Sequence, residues 1–454
     1  MSKQCRKADV VIVGGGASGL AAAITLRMSS DLSVLVIEKL GEPARKIRAT
    51  GSGRCNITNT TIPYYYKIME FFARIGLVTR DHENGLVYPY SESAADVAEL
   101  LITRTKQLGA NIACGEEVVS VRKVGADQED AAASEEDRLA DAEGTSRFQV
   151  VTKYKDAEGE HEAVTEARYV ILACGGKAGP MYGTTGDGYR LARALGHSIV
   201  TPVPVLTGVE CAEWAADHSP RAISLAGTRT RGIVTLHKPD KNVTADAGAA
   251  ETKDPKQTDE LFVEEGEIQF TKYGLSGICV FNMTRHMRFD ASKGESLADF
   301  LITADLFPGR DVTKMLRVRR DRAFKGERAD EVLRTVLRES IADYVMRSVA
   351  AKDKSFEGKA LRDISDEDIA LIDYMVHSME FHPVNLRGWK DAQATAGGVP
   401  ISEIDEKTSA SKVVDGLYIT GELMDKDYQC GGFNLSNAWI SGIRAAEAIA
   451  ATGK

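Results

Sequence analysis

Residues 8–13 form an apolar, β-branched run that stops at three glycines, and residues 18–28 follow with the Ala/Leu content of a helix. A second apolar run at 33–37 completes a strand–helix–strand unit, whose two strands must lie parallel in a sheet covered by helices. Downstream, 94–108 has helical spacing, 117–121 and 148–153 read as strands, 169–174 is an apolar strand ended by Gly175-Gly176, and 186–195 starts a helix. The Asp/Glu/Ala-rich stretch 127–146 between two of these strands reads as a solvated hairpin extension. From about residue 205 the pattern shortens to segments such as 233–237 and 267–270, which suggest antiparallel strands separated by a polar loop at 238–260. Residues 311–379 carry long helical periodicities, as at 343–349 and 369–377, before a strand at 416–420 and a helix at 438–450.

This succession predicts an α/β chain with a discontinuous parallel-sheet domain made of 1–204 and 383–454. A β-rich insertion at 205–304 and a helical lobe at 305–382 interrupt it. The length of 454 residues calls for more than one core. With 43% hydrophobic and 27% charged residues, the composition is that of a globular chain. A formal net charge of −9, with no basic cluster apparent, gives no basis for wrapping a polyanion, so the expected partner is a small-molecule substrate and no nucleic acid. No apolar run reaches the roughly 20 residues of a membrane span. The basic segment 1–7 leads into a short apolar run and then glycines, which reads as a first strand. The expected location is cytoplasmic, without a membrane. The seven cysteines (Cys5, Cys55, Cys114, Cys174, Cys211, Cys279 and Cys430) are odd in number and show no C-x-x-C spacing. That argues against a disulfide scaffold, a redox pair, a zinc site or an iron–sulfur cluster, so no metal is expected. Electrons must then pass through an organic cofactor or an external donor.

Gly14-Gly15-Gly16-Ala17-Ser18-Gly19 fits G-x-G-x-x-G at the point where a strand gives way to a helix, which is the context the mechanism needs. Gly14 permits the tight turn, Gly16 lets backbone approach a diphosphate, and Gly19 allows close helix–sheet packing. The diphosphate then rests on unpaired N–H groups at the start of the helix, around Ala17 and Ser18. Glu38, followed by Lys39, ends the second strand where an acid binds ribose hydroxyls and opposes a 2′-phosphate. FAD and NAD therefore suit the site better than NADP. Residues 45–59, Arg-Lys-Ile-Arg-Ala-Thr-Gly-Ser-Gly-Arg-Cys-Asn-Ile-Thr-Asn, decide between them. A glycine-rich, cationic loop here suits a longer ligand with a ribityl chain and a polar ring edge, namely FAD. It supplies Lys46, Thr50, Gly53, Arg54, Cys55 and Asn56 as cofactor-binding candidates, although a solvated basic loop has the same composition and Cys55 has the size of a simple filler.

At this loop the chain resembles the bile-acid Δ4,6-reductase-like flavoproteins, a family also labelled aminoacetone-oxidase-like. The resemblance continues in Gly266-Glu267-Ile268-Gln269-Phe270-Thr271-Lys272-Tyr273-Gly274-Leu275-Ser276-Gly277, in Ala392-Gln393-Ala394-Thr395-Ala396-Gly397-Gly398-Val399, and in Gly416-Leu417-Tyr418-Ile419-Thr420-Gly421-Glu422 with Gly431-Gly432-Phe433-Asn434-Leu435. It implies a Rossmann-like, glutathione-reductase-type FAD-binding domain with an inserted antiparallel β (barrel-like) domain and a helical lobe. It also implies that Gly421 and Glu422 lie near the ribityl or diphosphate part of FAD, and that Gly432, Phe433, Asn434 and Leu435 start the last helix under the flavin. Departures from the family pattern fall at Ser52, where glycine is usual, at 409–412, at Tyr428, and at Ser436-Asn437. A looser likeness joins Ala173-Cys174-Gly175-Gly176 and Thr184-Thr185-Gly186-Asp187-Gly188 to fumarate-reductase and ketosteroid-dehydrogenase flavoproteins. It adds Cys174, Gly175, Gly176 and Asp187 to the cofactor set, and Val119 completes it. Asp187 also suits the cap of the helix that follows.

Reduction of an activated alkene needs a hydride donor over the β-carbon, a group that polarises the carbonyl, and an acid for the α-carbon. Tyr273, Arg285 and His377 are the leading catalytic candidates, with His286, His382 and Arg387 beside them. For a lone histidine a structural role is the simpler reading. No second G-x-G-x-x-G follows a strand, so NAD(P)H is expected only as a transient electron donor at the flavin face. The reading is an FAD-dependent oxidoreductase acting on a C=C bond conjugated to a carbonyl in a small apolar molecule. An oxidase of a small amine or aminoketone, an RNA-modifying flavoprotein and a non-catalytic flavin sensor are the alternatives. The sequence leaves the substrate and the oligomeric state open.

Overall fold

The computed structural model describes residues 4–124, 147–214, 224–239, 258–289 and 291–452. The chain forms two compact units, 1–204 with 393–454, and 205–392.

In the first unit, β1 (Gln4–Val13) leads through α1 (Ala17–Ser29) into β2 (Val34–Glu38). β1 pairs in parallel with β2 on one side and with Gly159–Leu172 on the other. Asn111–Cys114 adds beyond β2, and Leu417–Ile419 adds beside Gly159–Leu172, both parallel. Val10, Val11 and Ile12 are fully buried because both faces of this sheet are covered, Val10 and Ile12 packing with Ala22 and Leu26 of α1 and Val11 with Val118, Phe148 and Leu191, which explains the unbroken apolar run at 8–13. An antiparallel meander of Glu116–Lys123, Phe148–Asp156 and Gly159–Leu172 completes the sheet. The last of these strands begins well before residue 169, because its first half alternates polar and apolar positions and only its second half reads as a run. Residues 127–146, expected as a hairpin extension, lie outside the described residues. The closing helix Phe433–Thr452 shares a core with α1 and β1 through Ala445, Ala446, Ile449, Ala22, Leu26 and Ile12.

The loop expected at 45–59 is more ordered than its composition suggests. Arg45–Ala49 is a helical turn anchored by buried Ile47, and Thr50–Gly53 is a tight turn. The helix Tyr65–Arg74 was not anticipated either. Its Phe72 meets Trp439 of the closing helix edge to face, with ring centroids 5.2 Å apart.

The second unit is built on one antiparallel sheet of seven strands. Their order is Met379–Phe381, Leu301–Asp305, Arg229–Pro239, Thr258–Phe270, Gly274–Ser276, Val209–Cys211 and Pro383–Leu386. Of the polar stretch at 238–260, residues 240–257 lie outside the described residues, while both ends belong to strands, with Lys238 opposite Asp259. The helices Val312–Arg320, Glu339–Lys352 and Asp366–His377 follow, two of them started by side-chain caps from Asp311 and Ser365. Leu316, Ile341 and Ile372 share one core with Phe270, Ile302 and Phe381. Strands and helices that the sequence separated at residue 304 thus form one body. Residues 383–392 stay with it because Pro383–Leu386 pairs with Val209–Cys211. Among the described residues no helix is long and apolar enough to cross a membrane.

Candidate cofactor site

A cleft opens in the first unit where β1 ends, with a void of about 1330 Å3 including its open mouth. The glycine turn forms its floor. Gly14 has φ +109°, and a Cβ there would lie 2.5 Å from the carbonyl oxygen of Ala173. A Cβ on Gly19 would lie 2.0 Å from the carbonyl oxygen of Gly14, so α1 can approach the strand end only with glycine at this position. A Cβ on Gly16 meets nothing within 4 Å, and it would project into the cleft that Gly16 lines. No side chain caps the N-terminus of α1. Its first N–H groups are therefore left for a ligand, and the helix dipole favours an anion there.

Glu38 lines the cleft with its carboxylate held by two backbone donors, Gly15 N at 2.9 Å and Leu40 N at 2.9 Å. A carboxylate has about four acceptor positions, so hydroxyls of a ribose still find acceptors. Beside it, Lys39 pairs with Asp187 and donates to Thr185 Oγ1 at 2.5 Å. Asp187 is the first residue of the helix Asp187–Ala194 and not its cap, a position filled by Gly186. Burial alone would push its carboxyl up, but hydrogen bonds from Lys39 and Thr185 outweigh that and hold it below the usual range.

Farther along the cleft, Lys46 Nζ is 2.7 Å from Glu422 Oε2, while Glu422 Oε1 accepts from Thr395 N at 2.8 Å. Thr395 is fully buried, and its Oγ1 accepts from Lys177 N at 2.8 Å and Ala178 N at 3.0 Å. Gly176 is packed behind this pair, where a Cβ would lie 2.4 Å from Thr395 Oγ1. Asn434 closes the 428–434 turn by donating to Tyr428 O at 2.9 Å and accepting from Tyr428 N at 3.1 Å.

The cleft gathers Gly14, Gly16, Ala17, Ser18, Glu38, Lys39, Lys46, Thr50, Cys174, Gly175, Asp187, Gly421, Glu422, Asn434 and Leu435 from segments far apart in sequence. The other cofactor candidates stand behind or beyond it. Cys55 is fully buried and Asn56 accepts from Val87 N at 3.3 Å. Gly53 and Arg54 are exposed, with Arg54 over the Tyr88 ring. Val118 lines the cleft where Val119 was expected, and the Val119 carbonyl accepts from Arg190 at 2.6 Å. Gly432 and Phe433 lie at the head of the closing helix. Sequence reasoning missed Tyr182, Gln393, Thr395 and Lys426. Thr395 and Gln393 sit in or beside a recognised glycine element, whereas Tyr182 and Lys426 carried no signal. Burial pushes the thiols of Cys174 and Cys55 up to about 12 and about 11, so both stay protonated and unreactive near neutral pH.

The catalytic candidates all belong to the second unit. Tyr273 and Arg387 come together, the guanidinium lying 4.8 Å from the ring centroid. Arg387 is also tied to Glu210 at 2.9 Å and Asp391 at 2.8 Å. The histidines have separate partners: His377 bonds Asp305 at 2.8 Å, His382 bonds Glu213 at 2.7 Å, and His286 stacks on Phe262. Arg285 follows the short helix Ile278–Thr284 as its cap residue.

The cradle fits a flavin dinucleotide: an uncapped helix start for the diphosphate, a strand-end acid for a ribose, and a long cleft continuing to Glu422. Comparison with known proteins agrees. The HI0933-like protein Rossmann domain matches residues 8–67 and 64–448. A 3-dehydro-bile acid delta(4,6)-reductase of Clostridium scindens is 30% identical over 97% of this chain and 98% of its own. Ribosomal RNA dihydrouridine synthases of Haemophilus influenzae and Escherichia coli are each 23% identical, covering 97% and 98% of this chain and 98% of their own. An open-form flavocytochrome c3 fumarate reductase aligns over 98% of this chain and 78% of its own, at 13% identity and a TM-score of 0.45. With the dinucleotide cradle in place and the match running along nearly the whole chain, this protein belongs to the HI0933-like family and is an FAD-dependent flavoprotein oxidoreductase of the bile-acid Δ4,6-reductase-like kind.

Proposed function

We infer that this protein reduces a C=C bond conjugated to a carbonyl, with NAD(P)H as the source of electrons. The observation that carries this reading is the full-length similarity to a bile acid Δ4,6-reductase. Bound FAD supplies a hydride donor. The chain's own groups do the rest. The N–H groups at the start of α1 hold the diphosphate, and Glu38 orients a ribose through its remaining acceptor positions. The buried Thr395, with the half-buried pair Glu422 and Lys46, fixes the middle of the cleft. Among the catalytic candidates Tyr273 suits the proton donor best. Its hydroxyl has no hydrogen-bond partner among the described residues, whereas His377 and His382 are engaged by carboxylates.

A second substrate is favoured by the two relatives named as ribosomal RNA dihydrouridine synthases. Uracil also carries a C=C bond conjugated to a carbonyl, so one chemistry serves both. The expectation of no nucleic-acid partner rests on the acidic total and on no basic cluster being apparent, yet residues 310–338 hold ten Lys/Arg against five Asp/Glu, a local excess that the total hides.

The test is anaerobic reduction of the FAD-loaded protein by NADH or NADPH, followed by mixing with steroid-like and aryl enones or with uridine-containing RNA. Reoxidation with saturation of the alkene in either class supports the reading. Reduced flavin that neither class reoxidises would sink it.

A further inference from the structure

We propose that the turn at residues 321–326 of the second unit is a docking point for single-stranded RNA, with Phe324 as a stacking platform and Arg322 and Lys325 as phosphate contacts. The proposal rests on the RNA reading above. It starts from charge. The chain has a net charge of −9, yet residues 310–338 hold ten Lys/Arg against five Asp/Glu. A segment of opposite sign on an acidic chain is a local electrostatic footprint, which the total charge hides.

Phe324 is 70% exposed, an unusual place for a phenylalanine in an ordered turn. The ring is held, not loose. The Arg319 guanidinium lies 4.7 Å from its centroid and is itself gripped by Glu327 through contacts of 2.7 and 2.9 Å. Glu327 also accepts from Phe324 N at 2.8 Å, and Arg362 donates to the carbonyl oxygen of the adjacent Ala323 at 2.8 Å. The turn is thus fixed from below while the ring stays open to solvent.

Apart from the exposed Asp321, the charges around it are cations that divide into two sets. Arg317 and Arg320 are paired with Asp366, and Arg319 with Glu327. Arg322 and Lys325, on either side of the ring in sequence, are exposed and have no ion-pair partner among the described residues. A pinned aromatic face flanked by unpaired cations is the combination that binds single-stranded nucleic acid. Bases stack without regard to sequence, and phosphates take the charge.

The experiment uses the FAD-loaded full chain and a labelled, uridine-containing RNA of about 16 nucleotides. Anisotropy titrations are run across a salt series, and dihydrouracil formation is followed by mass in a parallel anaerobic sample supplied with NADH or NADPH as the two-electron reductant. Phe324→Ala should weaken binding about tenfold, with the salt dependence kept. The double variant Arg322→Gln/Lys325→Gln should flatten the slope of log K against log salt by about 1.4, a change that a merely structural role does not produce. Thermal unfolding of each variant checks the fold. Wild-type RNA binding that neither variant changes overturns the proposal and leaves the RNA reading standing. If the wild type binds no RNA, both fall, and altered self-association of Phe324→Ala would then mark the turn as a protein contact. Variant-sensitive binding without dihydrouracil keeps the docking point and removes RNA as the reduced substrate.

Discussion

The two compact units carry chemistry in different ways. In the first, the groups that fit the cofactor are mostly backbone: the turn at Gly14, the open face of Gly16 and the uncapped start of α1. In the second, the groups a reductase needs are side chains, and most are already engaged. His377 is tied to Asp305, His382 to Glu213, and Arg387 to Glu210 and Asp391. A backbone cradle is specified by glycine spacing over a few residues. A proton donor is one side chain whose environment is assembled from distant segments, so its type in the sequence says little about whether it is available.

Gly16→Val tests the backbone side of this contrast and should have the largest effect. The residue's φ of −82° suits valine, and space is free, so the chain should fold. FAD affinity should fall by about a hundredfold or more, about 3 kcal/mol, read by titrating the apoprotein with FAD. Retained stoichiometric FAD would break the assignment of the cradle.

His377→Ala tests the side-chain side. Loss of its partly exposed bond to Asp305 should cost about 1 kcal/mol of stability in denaturant unfolding, with turnover little changed. Turnover lost at unchanged stability would restore His377 as a catalytic group and narrow the contrast.

The smallest effect is expected at Ser52, which sits at φ +56°, in the left-handed region that favours glycine. The left-handed conformation costs a non-glycine residue roughly 1–2 kcal/mol, and glycine loses roughly 0.5–1 kcal/mol more in unfolded-chain entropy. Ser52→Gly should therefore raise stability by about 0.5 kcal/mol. A loss would show that the serine side chain makes a contribution of its own in the turn.

The parallel strands were legible because burial on both faces leaves an unbroken apolar run, as in Val10, Val11 and Ile12. The helix Tyr65–Arg74 escaped notice because its buried face is only Ile68, Phe71 and Phe72, set among exposed aromatic and charged positions. The cationic turn at 321–326 was printed in the sequence but averaged away by the acidic total.

By itself the sequence determined the dinucleotide cradle, since a strand, a glycine turn and a helix start are local and need no distant partner. Tertiary structure decided the rest. Folding brought Thr395 and Glu422 beneath Gly176, joined the inserted strands and the later helices in one core, and turned Asp187 toward Lys39. Those outcomes depend on contacts between residues from 27 to 218 positions apart, which no local pattern records.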